Sequence, residues 1–304
     1  MLRSMRRSVA AALLLLVAAA AAHAHPPPLG DCDVAYPPPW GSSGKDVPWL
    51  PTSDVVALAM LSIAQVTPSD LVLDLGAGDG RIAVAAAKAP FRARAVGIEY
   101  DSYLAKRAQC LIEAEGVSDR VRFIEGDVFE KDFGAASVVT MYLLPEINLC
   151  LRHRLLALEP GTRIVSHQYA MADWVPDRSI EISGRAVHLW VVPAHVDGVW
   201  EFRDSQGTEF RVDLHQTFGA LSGDITRSGL RTAVAATLRG AELRLTFDAA
   251  GDTATFSGTV RGDEITGLLS TGTTALTATG QLHATRRAAP WAQMPASCAR
   301  FYDR

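Results

Sequence analysis

Leu71-Val72-Leu73-Asp74-Leu75-Gly76-Ala77-Gly78-Asp79-Gly80-Arg81 is the stretch on which the reading of this chain turns. A short apolar run ends at an acidic residue, crosses three alternating glycines and opens into the Ala-rich helical pattern Arg81–Lys88. Strand, tight glycine turn and helix in that order let a nucleotide-like ligand approach the backbone of an α/β sheet. The carboxylates choose among ligands. Asp79 stands among the glycines, where a dinucleotide site offers backbone N–H groups to a pyrophosphate. A fixed negative charge there repels phosphate but suits a ligand carrying both an ammonium and a sulfonium, as S-adenosylmethionine does.

Strands and helices alternate on both sides of that stretch. Upstream, Thr52-Ser53-Asp54 supplies helix-capping chemistry ahead of Val55, Leu58, Ala59, Leu61 and Ile63 at helical spacing. Downstream, strands are expected at Ala93–Glu99, Val121–Glu125, Ser137–Leu143 and Thr162–Ser166. Helices are expected at Tyr103–Glu115 and from Glu146 to Leu158, and a hairpin turns at Ser183-Gly184-Arg185. The alternation predicts an α/β fold, a Rossmann-like parallel sheet with helices on both faces.

After Pro193 the texture changes to short runs of alternating apolar and polar residues, separated by turns at Gly240, Gly251, Gly262 and Gly272. Leu238-Arg239-Gly240-Ala241-Glu242-Leu243 is echoed by Val260-Arg261-Gly262-Asp263-Glu264-Ile265. This half predicts an antiparallel β meander, closed or nearly closed into a small barrel. The domain boundaries that follow are a cofactor-binding domain over 52–196, a β-rich domain over 197–288 and an irregular tail over 289–304.

Before the α/β pattern lie two other segments. Arg3, Arg6 and Arg7, the apolar run Val9 to Ala22 and the small-x-small site Ala22-His23-Ala24 read as a signal peptide over residues 1–24. The apolar run falls short of the ~20 residues of a spanning helix. The expected location is periplasmic or secreted, with no stable membrane span after cleavage and a membrane anchor if the peptide stays uncleaved. Losing three arginines with it takes the formal charge from −4 to −7. Such a chain offers no global field for nucleic acid. Residues 25–51 form a Pro-rich lead-in, expected to be extended, with Trp40 and Trp49 as anchors.

The four cysteines lack metal-ligand spacing, and no metal is expected. Cys110 and Cys150 fall in helical apolar patterns and read as buried bystanders. Cys32 and Cys298 lie near the two ends of the mature chain and are the candidate disulfide, one bridge tying both tails down in an oxidising compartment.

Three acidic positions at the ends of the first three strands complete a cofactor site: Asp74, Glu99 and Asp127. Asp74 is placed to fix the loop and attract an amino group, Glu99 to accept from ribose hydroxyls, and Asp127 to accept from an adenine amino group with Val128 against the ring. Each alone is a turn or strand-end residue; jointly, three spacings agree with one ligand. Gly78-x-Gly80-x-x-Ala83 also fits a looser nicotinamide pattern, against which stand Asp79 and the lack of a hydride-transfer set.

Asp-x-Gly-x-Gly-x-Gly at Asp74, Gly76, Gly78 and Gly80, with Glu99 and Gly126-Asp127, resembles the cofactor motifs of class I methyltransferases. Val47-Pro48-Trp49-Leu50-Pro51-Thr52, Thr140-Met141-Tyr142-Leu143-Leu144-Pro145, Ser166-His167-Gln168-Tyr169 and Trp174-Val175-Pro176 narrow it. Together they resemble a bacterial family related to the mitochondrial lysine methyltransferases of the ATP synthase c-subunit and the adenine nucleotide translocase. The resemblance spans residues 47 to 178 and implies a protein lysine as methyl acceptor.

Methyl transfer needs alignment, exclusion of water and a free lone pair on the acceptor, with no covalent intermediate. The acceptor is expected just past strands four and five, beside Tyr142, Pro145, His167 and Tyr169, with Trp49 and Pro51 arriving from the lead-in. Tyr142 and His167 are the candidate catalytic pair, His167 as proton acceptor; the plainer reading is that Tyr142 packs and His167 hydrogen-bonds the loop. A small-molecule methyltransferase, and a non-catalytic nucleoside-binding module whose β domain binds a partner, remain as alternatives.

Overall fold

The computed structural model describes residues 29–42, 45–249, 251–283 and 286–302. The signal-peptide segment and its cleavage site lie outside the described residues.

Seven strands build the first sheet: β1 (Leu71–Leu75), β2 (Arg94–Glu99), β3 (Val121–Glu125), β4 (Val138–Met141), β5 (Arg163–His167), β6 (Arg178–Ile182) and β7 (Arg185–Val191). Their order is β3-β2-β1-β4-β5-β7-β6, parallel except for the β6–β7 hairpin. This is the doubly wound, class I methyltransferase arrangement expected, hairpin included. Register places Asp74 between Gly97 of β2 and Thr140 of β4.

The central strands are buried on both faces, so consecutive residues feed two cores. Val72 joins Met60, Leu61, Ile82 and Ile112, the side of α2 (Asp54–Ile63), α3 (Arg81–Ala87) and α4 (Ser102–Ala114). Leu73 joins Ile147, Leu151 and Leu155 of α5 (Pro145–Leu156) on the other side. Capping chemistry sets the starts of two helices. Asp101 accepts from the backbone N–H of Tyr103 and Leu104 at 2.8 and 3.0 Å, and α5 opens on Pro145 and Glu146.

The second sheet is a nearly closed nine-stranded antiparallel barrel, in order β11-β10-β9-β8-β16-β15-β14-β13-β12. Its strands are β8 (Gly198–Asp204), β9 (Glu209–Thr217), β10 (Ala220–Arg227), β11 (Leu230–Ala233), β12 (Ala235–Arg239), β13 (Glu242–Ala249), β14 (Asp252–Arg261), β15 (Glu264–Thr271) and β16 (Thr274–Leu282). The echoed hexapeptides are two equivalent hairpins, closing on the pairs Arg239–Glu242 and Arg261–Glu264. Aromatic side chains fill the interior: Phe202 stacks on Phe210 at 4.9 Å and meets Phe256 edge-on at 5.0 Å.

Three expectations are corrected. The lead-in is not extended throughout, since residues Leu29–Ala35 form helix α1 against α4. Cys32 does not pair with Cys298. Cys32 bonds Cys110 of α4, and Cys298 bonds Cys150 of α5. The physical reason is the sheet: α4 and α5 lie on opposite faces, and each tail docks on the helix nearest to it. The C-terminal tail is not irregular either. It makes two short 3-10 turns and a final helical turn, α6 (Ala299–Tyr302), and puts Phe301 on Phe129 at 4.9 Å inside the α5-side core. Phe218 in the β9–β10 turn also enters that core, stacked on Trp174 at 5.7 Å.

Candidate active site

The carboxyl ends of β1 to β5 open into a cleft of about 1190 Å³, counted to its open mouth. That is ample for a nucleoside carrying an amino-acid tail. Its floor is the glycine loop. Gly76 and Gly78 take φ of +68° and +56°, a conformation costly for other residues. A Cβ at 78 would also stand 2.5 Å from the indole Nε1 of Trp49. Gly80, at φ +79°, turns the chain into α3.

Asp74 sits at the base, 2 % exposed. Thr140 Oγ1 donates to its Oδ1 at 2.7 Å, while Oδ2 is buried with no partner in the protein. Burial pushes this carboxyl up to about 7, against the Thr140 hydrogen bond, and the charges of Glu99 and Asp79 add to the rise. An orphaned buried carboxylate oxygen at a strand end is suited to a donor or cation on a ligand. Glu99 accepts from Gly78 N at 2.8 Å and Asp101 N at 2.9 Å, which fixes it against the loop; burial raises its carboxyl too. Asp127 and Val128 line the far end, with Asp127 Oδ1 accepting from Phe129 N at 2.9 Å.

Asp79 behaves otherwise. Both its oxygens are held by the Arg81 fork, at 2.9 and 2.7 Å, and Arg107 Nε stands 3.7 Å away. Its charge is neutralised within the protein and shapes the loop, so the anionic character of the cleft rests on Asp74 and Glu99 instead. A basic residue two positions after Asp79 was the available signal.

Tyr142 and Tyr169 line the cleft together with Leu143, Leu144 and Ile147; Trp49 and Pro51 line it too, Trp49 against Gly78 of the glycine loop. Tyr142 and Tyr169 lie nearly parallel, their ring centroids 6.3 Å apart. His167 and Pro145 do not line it. Pro145 is exposed at the start of α5. His167 is 3 % exposed behind Tyr142, ring centroids 3.9 Å apart, and its Nδ1 shares a 3.0 Å hydrogen bond with Thr52 Oγ1. Burial, aided by the Arg185 charge, brings its imidazole down to about 4. Enclosed behind Tyr142 and absent from the cleft lining, it is placed to hold Tyr142 and does not face the space an acceptor would enter.

Two contacts of the site were not legible in the sequence. Thr140, fully buried beneath the cleft, meets Asp74 only because β4 lies beside β1. Lys45, in the cleft lining, lies 4.6 Å over the Tyr100 ring and is paired with Asp127, 82 positions along the chain. Among the described residues no cluster of His, Cys, Asp or Glu could hold a metal.

The ANTKMT methyltransferase domain model matches residues 74–178. A protein-lysine N-methyltransferase of Saccharolobus islandicus is 40% identical over 154 residues, covering 49% of this chain and 96% of that protein. The human lysine N-methyltransferase of the ATP synthase c-subunit is 30% identical over 145 residues; the match covers 47% of this chain and 60% of that protein, less than two thirds of its length. Among solved structures, an RNA methyltransferase from Salinibacter ruber, in complex with S-adenosyl-L-homocysteine, is 44% identical. It covers 48% of this chain and 96% of its own, with a TM-score of 0.47.

Proposed function

We propose that this chain, which belongs to the protein-lysine N-methyltransferase family, methylates the side-chain amine of a lysine in a protein outside the cytosol. It is an S-adenosylmethionine-dependent methyltransferase by family and by fold. The cofactor fits the residues present. The orphaned Asp74 Oδ2 would take its cationic end, Glu99 its ribose, and Asp127 with Val128 its adenine. When bound, it supplies an electrophilic methyl group on a sulfonium.

The observation that carries the acceptor reading is the aromatic and aliphatic wall that shares the cleft with Asp74. Tyr142 and Tyr169, with Leu143 and Leu144 beside them, offer low dielectric and π-faces to whatever enters from that side. A lysine amine has an unperturbed pKa of about 10.4, and desolvation against such walls favours its neutral, nucleophilic form. His167 and Thr52 hold Tyr142 from behind, so the wall is preorganised. With His167 neutral and enclosed, the departing proton goes to solvent at the cleft mouth.

Two observations support the location. The segment 1–24 has the make-up of a signal peptide, and all four cysteines are engaged in two disulfides, as suits an oxidising compartment. No helix among the described residues is long and apolar enough to cross a membrane.

The test is transfer of a radiolabelled methyl group from S-adenosylmethionine into an extract of secreted or periplasmic proteins, followed by acid hydrolysis and chromatography. The expected result is label in methyllysine. Label in RNA or in small solutes instead would contradict the acceptor reading, and cofactor binding without any transfer would favour a nucleoside-binding module.

A further inference from the structure

The segment ahead of α2 builds a wall of the cleft, yet it lies outside the 74–178 stretch that the family model matches. It is fastened at both ends. At the first, Cys32 of α1 is bonded to Cys110 of α4, Asp33 accepts from Arg107 Nη2 at 2.7 Å, and Tyr103 Oη donates to Pro37 O at 2.9 Å. At the second, the Thr52 carbonyl accepts from Arg81 Nη1 at 3.0 Å, and its hydroxyl meets His167. Between them Trp49 closes onto Gly78, and Lys45 holds Asp127. Arg107 couples the first fastening to the glycine loop, since its Nε lies 3.7 Å from Asp79 Oδ2.

We propose that residues 36–42 and 45–52 are a covalently anchored strap that completes the nucleoside half of the cofactor site, with Trp49 and Lys45 as the side chains that fasten it there. The inference rests on the cofactor assignment above. Gly78 then has two reasons to be glycine, its positive φ and the indole laid against it. A strap tethered at one end only would have to be ordered each time a ligand arrives, and that entropy would be lost from the affinity. The Cys32–Cys110 bridge fixes the strap in advance, so ligand binding meets a wall already in place. The expected consequence is slow release of the nucleoside.

The test compares the full-length protein with Cys32→Ser/Cys110→Ser, using S-adenosylhomocysteine as probe in calorimetry and in stopped-flow tryptophan fluorescence. The double variant should bind about tenfold more weakly, with most of the change in the dissociation rate. Cys150→Ser/Cys298→Ser, which removes the other bridge, should melt at lower temperature while keeping wild-type affinity. Equal affinity and release in wild type and Cys32→Ser/Cys110→Ser would overturn the strap. Should that variant lose cooperative melting, Trp49→Ala with both bridges intact decides: weaker binding supports the strap and unchanged binding overturns it. Absence of binding to the wild type would instead remove the cofactor assignment, and the strap with it.

Discussion

The α/β domain and the barrel treat their buried polar groups in opposite ways. In the barrel the strands bury aromatic and aliphatic side chains, and among the described residues none of its strand positions carries a buried side-chain polar atom without a partner. In the α/β domain such atoms occur on helices, at Arg107 Nε of α4 and Asn148 Oδ1 and Arg152 Nε of α5, and at strand ends, at Asp74 Oδ2 on β1 and His167 Nε2 and Gln168 Oε1 at β5. Leaving a buried polar group unpaired costs roughly 1–3 kcal/mol, so a fold keeps one where a ligand or water completes it. The first domain is therefore poised for chemistry at its carboxyl face, while the second is a filled scaffold whose interior holds side chains.

The contrast can be broken from either side. The largest effect should come from the scaffold. Phe256→Ala in the barrel interior should lower unfolding free energy by about 3–5 kcal/mol, read by denaturant titration, and leave S-adenosylhomocysteine affinity near wild type. Loss of cofactor binding in a folded Phe256→Ala protein would mean that the barrel shapes the cleft directly. The reverse substitution is Glu99→Ala, which should weaken S-adenosylhomocysteine binding by about 1.5–3 kcal/mol in calorimetry with a much smaller change in stability. Unchanged affinity would misplace the ribose.

What local pattern determines was readable. The strand–glycine–helix stretch, the carboxylates closing β1, β2 and β3, the terminal hairpin and the alternating barrel strands all depend on residues near one another in sequence. What depends on which face a helix occupies was not. The cysteines pair as they do because α4 and α5 lie on opposite sides of the sheet, a fact that spacing between Cys32, Cys110, Cys150 and Cys298 does not contain. Asp79 illustrates the same gap on a smaller scale. Its place among the glycines suggests a carboxylate free to meet a cation, but in the fold Arg81 and Arg107 converge on it. His167 shows it at β5: the strand end is legible, but its place behind Tyr142 is set by contacts with Tyr142 and with Thr52, 115 positions away in the chain.

The central claim is that Asp74 holds an oxygen ready for a cationic ligand, and titration across pH tests it most directly. In the free protein this carboxyl loses its proton only near 7, well above its ordinary value of 3.8. A cation that settles against it favours the ionised form, so binding below that point must expel a proton. Affinity for S-adenosylmethionine should rise by up to about tenfold per pH unit as pH climbs towards 7 and then level off. Calorimetry in buffers of different ionisation enthalpy should register release of that proton, and Asp74→Asn should abolish the slope. Binding in the wild type that is tight, independent of pH and free of proton release would contradict the account.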